Sequence, residues 1–206
     1  MKLSINKDQL AELPQVIFPG NIVVIDELKD IHNAIEVLKE AGCVGIDTET
    51  GPSFKKGVIH KVALLQISTE NKCFLFRLNK LGAVNELKLF FEDKNVIKIG
   101  LSLKDDIRIL KQIIDFEPTN FIDLQNMVKD YSIADNSLQK IYAIVFNERV
   151  SKGQRLTNWE ALELTPRQLS YAAIDAWSCL KIYQSLSSGE FNPNKSIYIE
   201  ECKEQN

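Results

Sequence analysis

The sequence predicts an α/β domain built on a mixed five-stranded sheet, three antiparallel strands followed by parallel strands, with helices flanking it. Three observations predict this. Short apolar runs bounded by polar turns read as buried strands early in the chain, helical apolar spacing alternates with further strands in the middle, and the last third reads as helix. A length of 206 residues at 45% hydrophobic content supplies one sizeable core, and 26% charged residues argue against a disordered or fibrous chain.

Residues 1–20, with Pro14 and Pro19, are expected to form a leader packed on the body without regular pattern, ahead of the main domain at 21–190 and a tail at 191–206. Ile22-Val23-Val24-Ile25 reads as a short strand. Asp26 is placed to cap a helix whose apolar positions are Leu28, Ile31, Ile35 and Leu38. Gly42 closes that helix, and Cys43 to Asp47 begins a buried strand with a carboxylate at its end. Lys61 to Ser68 and Lys72 to Leu78, joined by Thr69-Glu70-Asn71, complete an antiparallel meander. A helix from Leu81 to Glu92, a strand from Val96 to Gly100, a helix from Lys104 to Ile114 and a strand from Phe121 to Leu124 follow. Such alternation implies parallel crossovers. Beyond Leu124 everything reads as helical, and Pro166 opens a last long helix through Tyr171, Asp175, Cys179 and Ile182.

A net charge of -3, from 28 acidic and 25 basic residues, argues against a protein that holds nucleic acid by bulk electrostatics. An enzyme on nucleic acid stays open, because bound cations supply positive charge where a phosphate reacts. Cys43, Cys73, Cys179 and Cys202 are widely spaced, with no CxxC pair, and read as reduced thiols rather than zinc ligands. Neither a membrane-length apolar stretch nor the apolar run of a secretory signal occurs, so a cytoplasmic protein without membrane partners is expected. GxGxxG and the P-loop pattern are absent, which disfavours a nucleotide-binding or dehydrogenase-like protein.

The chemistry concentrates in three places. Asp47-Thr48-Glu49 ends an apolar strand, where residues i and i+2 share a face. Two carboxylates side by side at a core edge repel one another, an arrangement that makes energetic sense with a cation between them. A solvated strand end is the competing reading for any lone DxE. Asp105-Asp106 opens a helix, and the two side chains diverge by about 100°. Asp106 shares its face with Ile109 and Leu110 and is the one expected to look inward; acidic residues in a first turn also serve as dipole partners. Tyr171 and Asp175 stand i, i+4 on one face of the last helix, where a core tyrosine with an incidental carboxylate is the alternative.

In this order and on these elements, the three features resemble the DEDD superfamily of 3'-5' exonucleases, in its RNase D and Werner-type branch. The resemblance runs from about Val44 to Tyr183. Its motifs are similar to Ile46-Asp47-Thr48-Glu49-Thr50, to Gly100 through Leu110, and to Thr157-Asn158-Trp159, Leu164-Thr165 and Tyr171 through Asp175. Lys61-Val62-Ala63-Leu64-Leu65-Gln66-Ile67 is similar to the second strand of that branch. Ser170 stands where the histidine-type members carry their base, so the chain resembles the tyrosine-type branch.

The resemblance implies an RNase H-like fold and a nucleic-acid substrate degraded from its 3' end by two divalent ions, Mg2+ or Mn2+, releasing nucleoside 5'-monophosphates. Asp47, Glu49, Asp106 and Asp175 would be the metal ligands, with Tyr171 orienting the attacking water. A catalytically inactive binding module of the same fold is the alternative, and the retention of all four carboxylates and the tyrosine favours the enzyme. Lys55, Lys56 and Lys61, together with Arg149, Lys152 and Arg155, read either as phosphate contacts or as solvated loops. Phe54 is placed to stack on a terminal base. Trp159 is expected to pack on or cap the last helix.

Overall fold

The computed structural model describes residues 2–51 and 61–200. Its centre is a six-stranded sheet. In chain order the strands are β1 (Asn21–Ile25), β2 (Cys43–Thr50), β3 (Val62–Ser68), β4 (Lys72–Phe76), β5 (Ile97–Gly100) and β6 (Phe121–Asp123). Across the sheet they run β1-β4-β3-β2-β5-β6. The meander β2-β3-β4 is antiparallel as the sequence predicts, and β5 and β6 add in parallel beside β2. The sixth strand is the Ile22–Ile25 run, which joins β4 in parallel with Val23 opposite Phe74.

The helices are α1 (Lys7–Glu12), α2 (Ile31–Ala41), the single turn α3 (Leu78–Leu81), α4 (Asn85–Glu92), α5 (Leu103–Leu110), the short α6 (Leu124–Met127), α7 (Leu138–Phe146) and α8 (Pro166–Ser187). Gly42, at φ 65°, caps α2 where the sequence places its end. Gly82, at φ 70°, ends α3, and the helix expected over Leu81 to Glu92 forms only from Asn85, as α4.

Two expectations are corrected. The leader is not wholly irregular: Asn6 and Gln9 form a reciprocal capping box that starts α1. Nor is everything beyond Leu124 helical. Asn147 takes a left-handed conformation that ends α7, and residues 148–165 run outside helices until Thr165 and Gln168 form the capping box of α8.

Two apolar cores flank the sheet. One, between the sheet and α2, α4 and α5, holds Val44, Ile46, Leu65, Ile67, Phe74, Phe76, Phe90 and Phe91. The other lies under α7 and α8 and also takes up Leu3, Ile5, Leu10, Val16 and Phe18 of the N-terminal segment. The 22-residue α8 rides close on β2: a Cβ on Gly45 would meet the Ala176 carbonyl oxygen at 1.8 Å, so only glycine permits this approach. Among the described residues no helix is long and apolar enough to cross a membrane.

Candidate active site

Gly45, Asp47 and Glu49 alternate along β2 on the face that α8 covers, and the helix brings Asp175 to the same place. Carboxylate oxygens of Asp47, Glu49 and Asp175 lie within 4.8 Å of one another. Asp106 approaches from the first turn of α5 and stands outside that group of three. Its Oδ1 accepts a hydrogen bond from the Thr48 hydroxyl, which ties α5 to the strand between the two β2 carboxylates. Asp105 points away, paired with Arg108 at 3.3 Å on the surface. The helical phase that separates the two aspartates in the sequence therefore holds.

What aims α5 is a residue the sequence reading left as ordinary strand. Asp123, at the end of β6, accepts the backbone N–H groups of Ser102 at 2.9 Å and Leu103 at 3.0 Å. It thereby supplies the N-terminal cap that Ser102, held at φ 61°, does not provide with its own side chain.

Burial and mutual repulsion set the electrostatics. Burial first, then the charges of Asp175, Asp106 and Glu49, push Asp47 well above the usual carboxylate range. Glu49 rises to about 8 for the same reasons, with Arg155 pulling it back. Burial raises Asp175 to about 7 against the lowering influence of the Tyr171 hydroxyl and Lys152. Asp106 is also raised by burial, moderated by the Thr48 hydroxyl. Tyr171 is buried beside Asp175 and Glu49, and both burial and those charges raise its phenol far above its ordinary value.

Asp47, Glu49, Tyr171 and Asp175, but not Asp106, open into a cleft of about 350 Å³ lined also by Leu101, Ser137, Gln139, Lys152, Arg155 and Cys179. Ser137 and Gln139 belong to the start of α7, and no local pattern in the sequence marks them as cleft residues. Of the basic group before α8, Lys152 and Arg155 reach the cleft, whereas Arg149 donates to the Leu13 carbonyl at 2.9 Å and anchors the N-terminal segment. Lys61 is exposed and lines a separate cleft with Asn79, Gln112 and Glu160. Phe54, Lys55 and Lys56 lie outside the described residues. Trp159 is fully buried and packs on the Tyr171 ring with centroids 6.0 Å apart, which holds that side chain from behind.

The donor set is carboxylate oxygen alone, with no histidine nitrogen or thiolate among the described residues of the group. It fits hard magnesium or manganese ions better than zinc.

Comparison with known proteins agrees with this chemistry. The family model described as 3'-5' exonuclease matches residues 22–189. This chain belongs to the 3'-5' exonuclease family. Among the family's characterised relatives, the bifunctional 3'-5' exonuclease/ATP-dependent helicase WRN of Mus musculus is 31% identical over 198 residues, covering 91% of this chain and 14% of the mouse protein. Ribonuclease D of Haemophilus influenzae is 34% identical over 171 residues, covering 82% of this chain and 42% of that protein. The chain thus spans less than half of either relative. In fold, the exonuclease domain of Aedes aegypti Nibbler superposes with a TM-score of 0.72 at 17% identity, over 95% of this chain and 96% of that one.

Proposed function

We propose that this protein is a metal-dependent 3'-5' exonuclease that hydrolyses phosphodiester bonds from the 3' end of DNA or RNA and releases nucleoside 5'-monophosphates. One observation carries the reading: three carboxylates from one strand and one helix, Glu49 and Asp175 buried and Asp47 half-buried, crowd within 4.8 Å, with a fourth tied to the same strand. Acids packed this way ionise together only when divalent cations neutralise them.

Asp47, Glu49, Asp106 and Asp175 would hold the metal. Two divalent ions bound there supply the charge that makes water nucleophilic near neutral pH and that stabilises the departing 3' oxygen. The raised Tyr171 phenol stays protonated at neutral pH, so it serves as a hydrogen-bond donor that orients the attacking water and not as the base. Lys152 and Arg155 line the same cleft and are placed to hold the phosphates next to the scissile bond. Trp159 behind the Tyr171 ring limits the orientations the phenol samples. A cytoplasmic location is part of this proposal.

The test is digestion of matched 3'-labelled DNA and RNA oligonucleotides, single-stranded and recessed, with product sizing. Mononucleotides appearing in Mg2+ or Mn2+, and vanishing in EDTA and in Asp47→Ala, are expected. Binding of the oligonucleotides without any metal-dependent cleavage would favour the inactive module instead.

A further inference from the structure

Gln66, in the middle of β3, is fully buried, and among the described residues neither its Nε2 nor its Oε1 has a hydrogen-bond partner. A carboxamide left so is destabilising, which makes its presence a question of use.

The strand register narrows the answer. Gln66 is paired directly with Asp47 on one side and Leu75 on the other, and directly paired residues project on the same face of a sheet. Leu75 is apolar. The same-face neighbours along β3 are Leu64 and Ser68, and the Ser68 hydroxyl already donates to the Thr69 carbonyl at 2.9 Å. Across β2, β3 and β4, Asp47 is therefore the polar side chain in the Gln66 row.

We propose that Gln66 is a positioning residue for Asp47: its carboxamide N–H, unpartnered in this structure, turns to donate to an Asp47 oxygen when a divalent cation binds and holds that carboxylate for the ion. This rests on the metal-dependent reading above. Outer hydrogen bonds of this kind fix the orientation of metal-ligating carboxylates, and losing one weakens metal affinity or activity by about 10–100-fold. A rival, internal use exists: the Ser178 hydroxyl, three residues beyond Asp175 on α8, is also buried without a partner among the described residues.

The experiment uses the full chain. Thermal unfolding is followed in EDTA and through a Mn2+ titration, beside the Mn2+ concentration that gives half-maximal release from a 3'-labelled oligonucleotide. Gln66→Met keeps the volume and removes the donor. Its Tm in EDTA is expected to equal or exceed wild type, because the unsatisfied amide is gone. Both Mn2+ midpoints should rise about 10-fold while KM for the oligonucleotide stays put. Ser178→Ala should leave both midpoints where they are. Unchanged midpoints in Gln66→Met overturn the proposal, as does a drop of its Tm in EDTA that Ser178→Ala reproduces. Should Gln66→Met fail to fold, Gln66→Asn retains the amide but withdraws it, and it must raise the midpoints or the proposal falls. A wild-type protein indifferent to Mn2+ in both readouts sinks the metal-dependent reading itself, a result distinct from all of these.

Discussion

The two faces of β2 are built to opposite rules. On one, Val44 and Ile46 enter an apolar core of Leu65, Ile67, Phe74, Phe76, Phe90 and Phe91, in which the buried Lys98 ammonium is satisfied by the Phe90 and Asp93 carbonyls. On the other, two residues away at every step, Gly45 admits α8 at contact distance, and Asp47 and Glu49 meet Asp175 among buried groups that lack partners. The first face stabilises the fold by removing apolar surface from water. The second holds repelling acids in place, which a protein keeps for chemistry rather than for stability. One strand can carry both because its side chains alternate.

The largest expected effect comes from emptying the acidic face. Asp47→Ala or Asp175→Ala should lower exonuclease turnover by about 10³-fold or more, equivalent to roughly 4 kcal/mol of transition-state stabilisation. Near-normal hydrolysis by either variant in a 3'-end release assay would remove the metal assignment. The apolar face should answer differently. Phe91, fully buried against Phe90, Phe116 and Phe121, should lose roughly 3–5 kcal/mol of stability on change to alanine. For a domain of this size that lowers Tm by about 10 °C, while turnover per folded molecule at low temperature is retained. Calorimetry beside kinetics separates the two faces, and a comparable loss of turnover in Phe91→Ala would blur them.

Tyr171→Phe sharpens the comparison within the site. It should reduce kcat by about 10²-fold, or roughly 2.7 kcal/mol, yet leave the Mn2+-induced rise in Tm intact, since in the proposed mechanism the phenol donates to water and holds no metal. An unchanged kcat removes Tyr171 from the reaction.

The smallest effect is on stability against pH. Burial places Glu49 at about 8 and Asp175 at about 7, above their ordinary 4.5 and 3.8. A carboxyl whose folded pKa exceeds its unfolded one stabilises the fold fully below the unfolded value and loses that contribution as pH rises through the folded value. In EDTA, Tm should therefore fall by several degrees between pH 5 and pH 8.5. Mn2+ should reverse the fall, and Asp175→Asn should flatten it. A scanning-fluorimetry profile in EDTA that rises over that window would contradict the crowding of the acids.

Much of the acidic face is legible locally. Period-two alternation places Asp47 with Glu49, the four-residue helical interval places Tyr171 with Asp175, and helical phase separates Asp106 from Asp105. Thr165, Pro166 and Gln168 mark the start of α8 by cap chemistry that involves only neighbours. What escapes is tertiary. Asp123 caps a helix that begins 20 residues earlier in the chain. Arg149, Lys152 and Arg155 look alike in the sequence, but the first is drawn to Leu13 by a segment more than 130 residues away. The Ile22–Ile25 run enters the sheet only because β4 offers it a free edge.

By itself the sequence determined which elements form and which side chains share a face, because backbone periodicity and capping act within a few residues. Only the tertiary structure decided how closely those faces approach, that Asp106 reaches β2 through Thr48, and that Gln66 lies buried beside Asp47 without a partner. Those outcomes depend on sheet register and on a helix seated over Gly45, and strand pairing across long stretches of chain is not encoded in any local pattern.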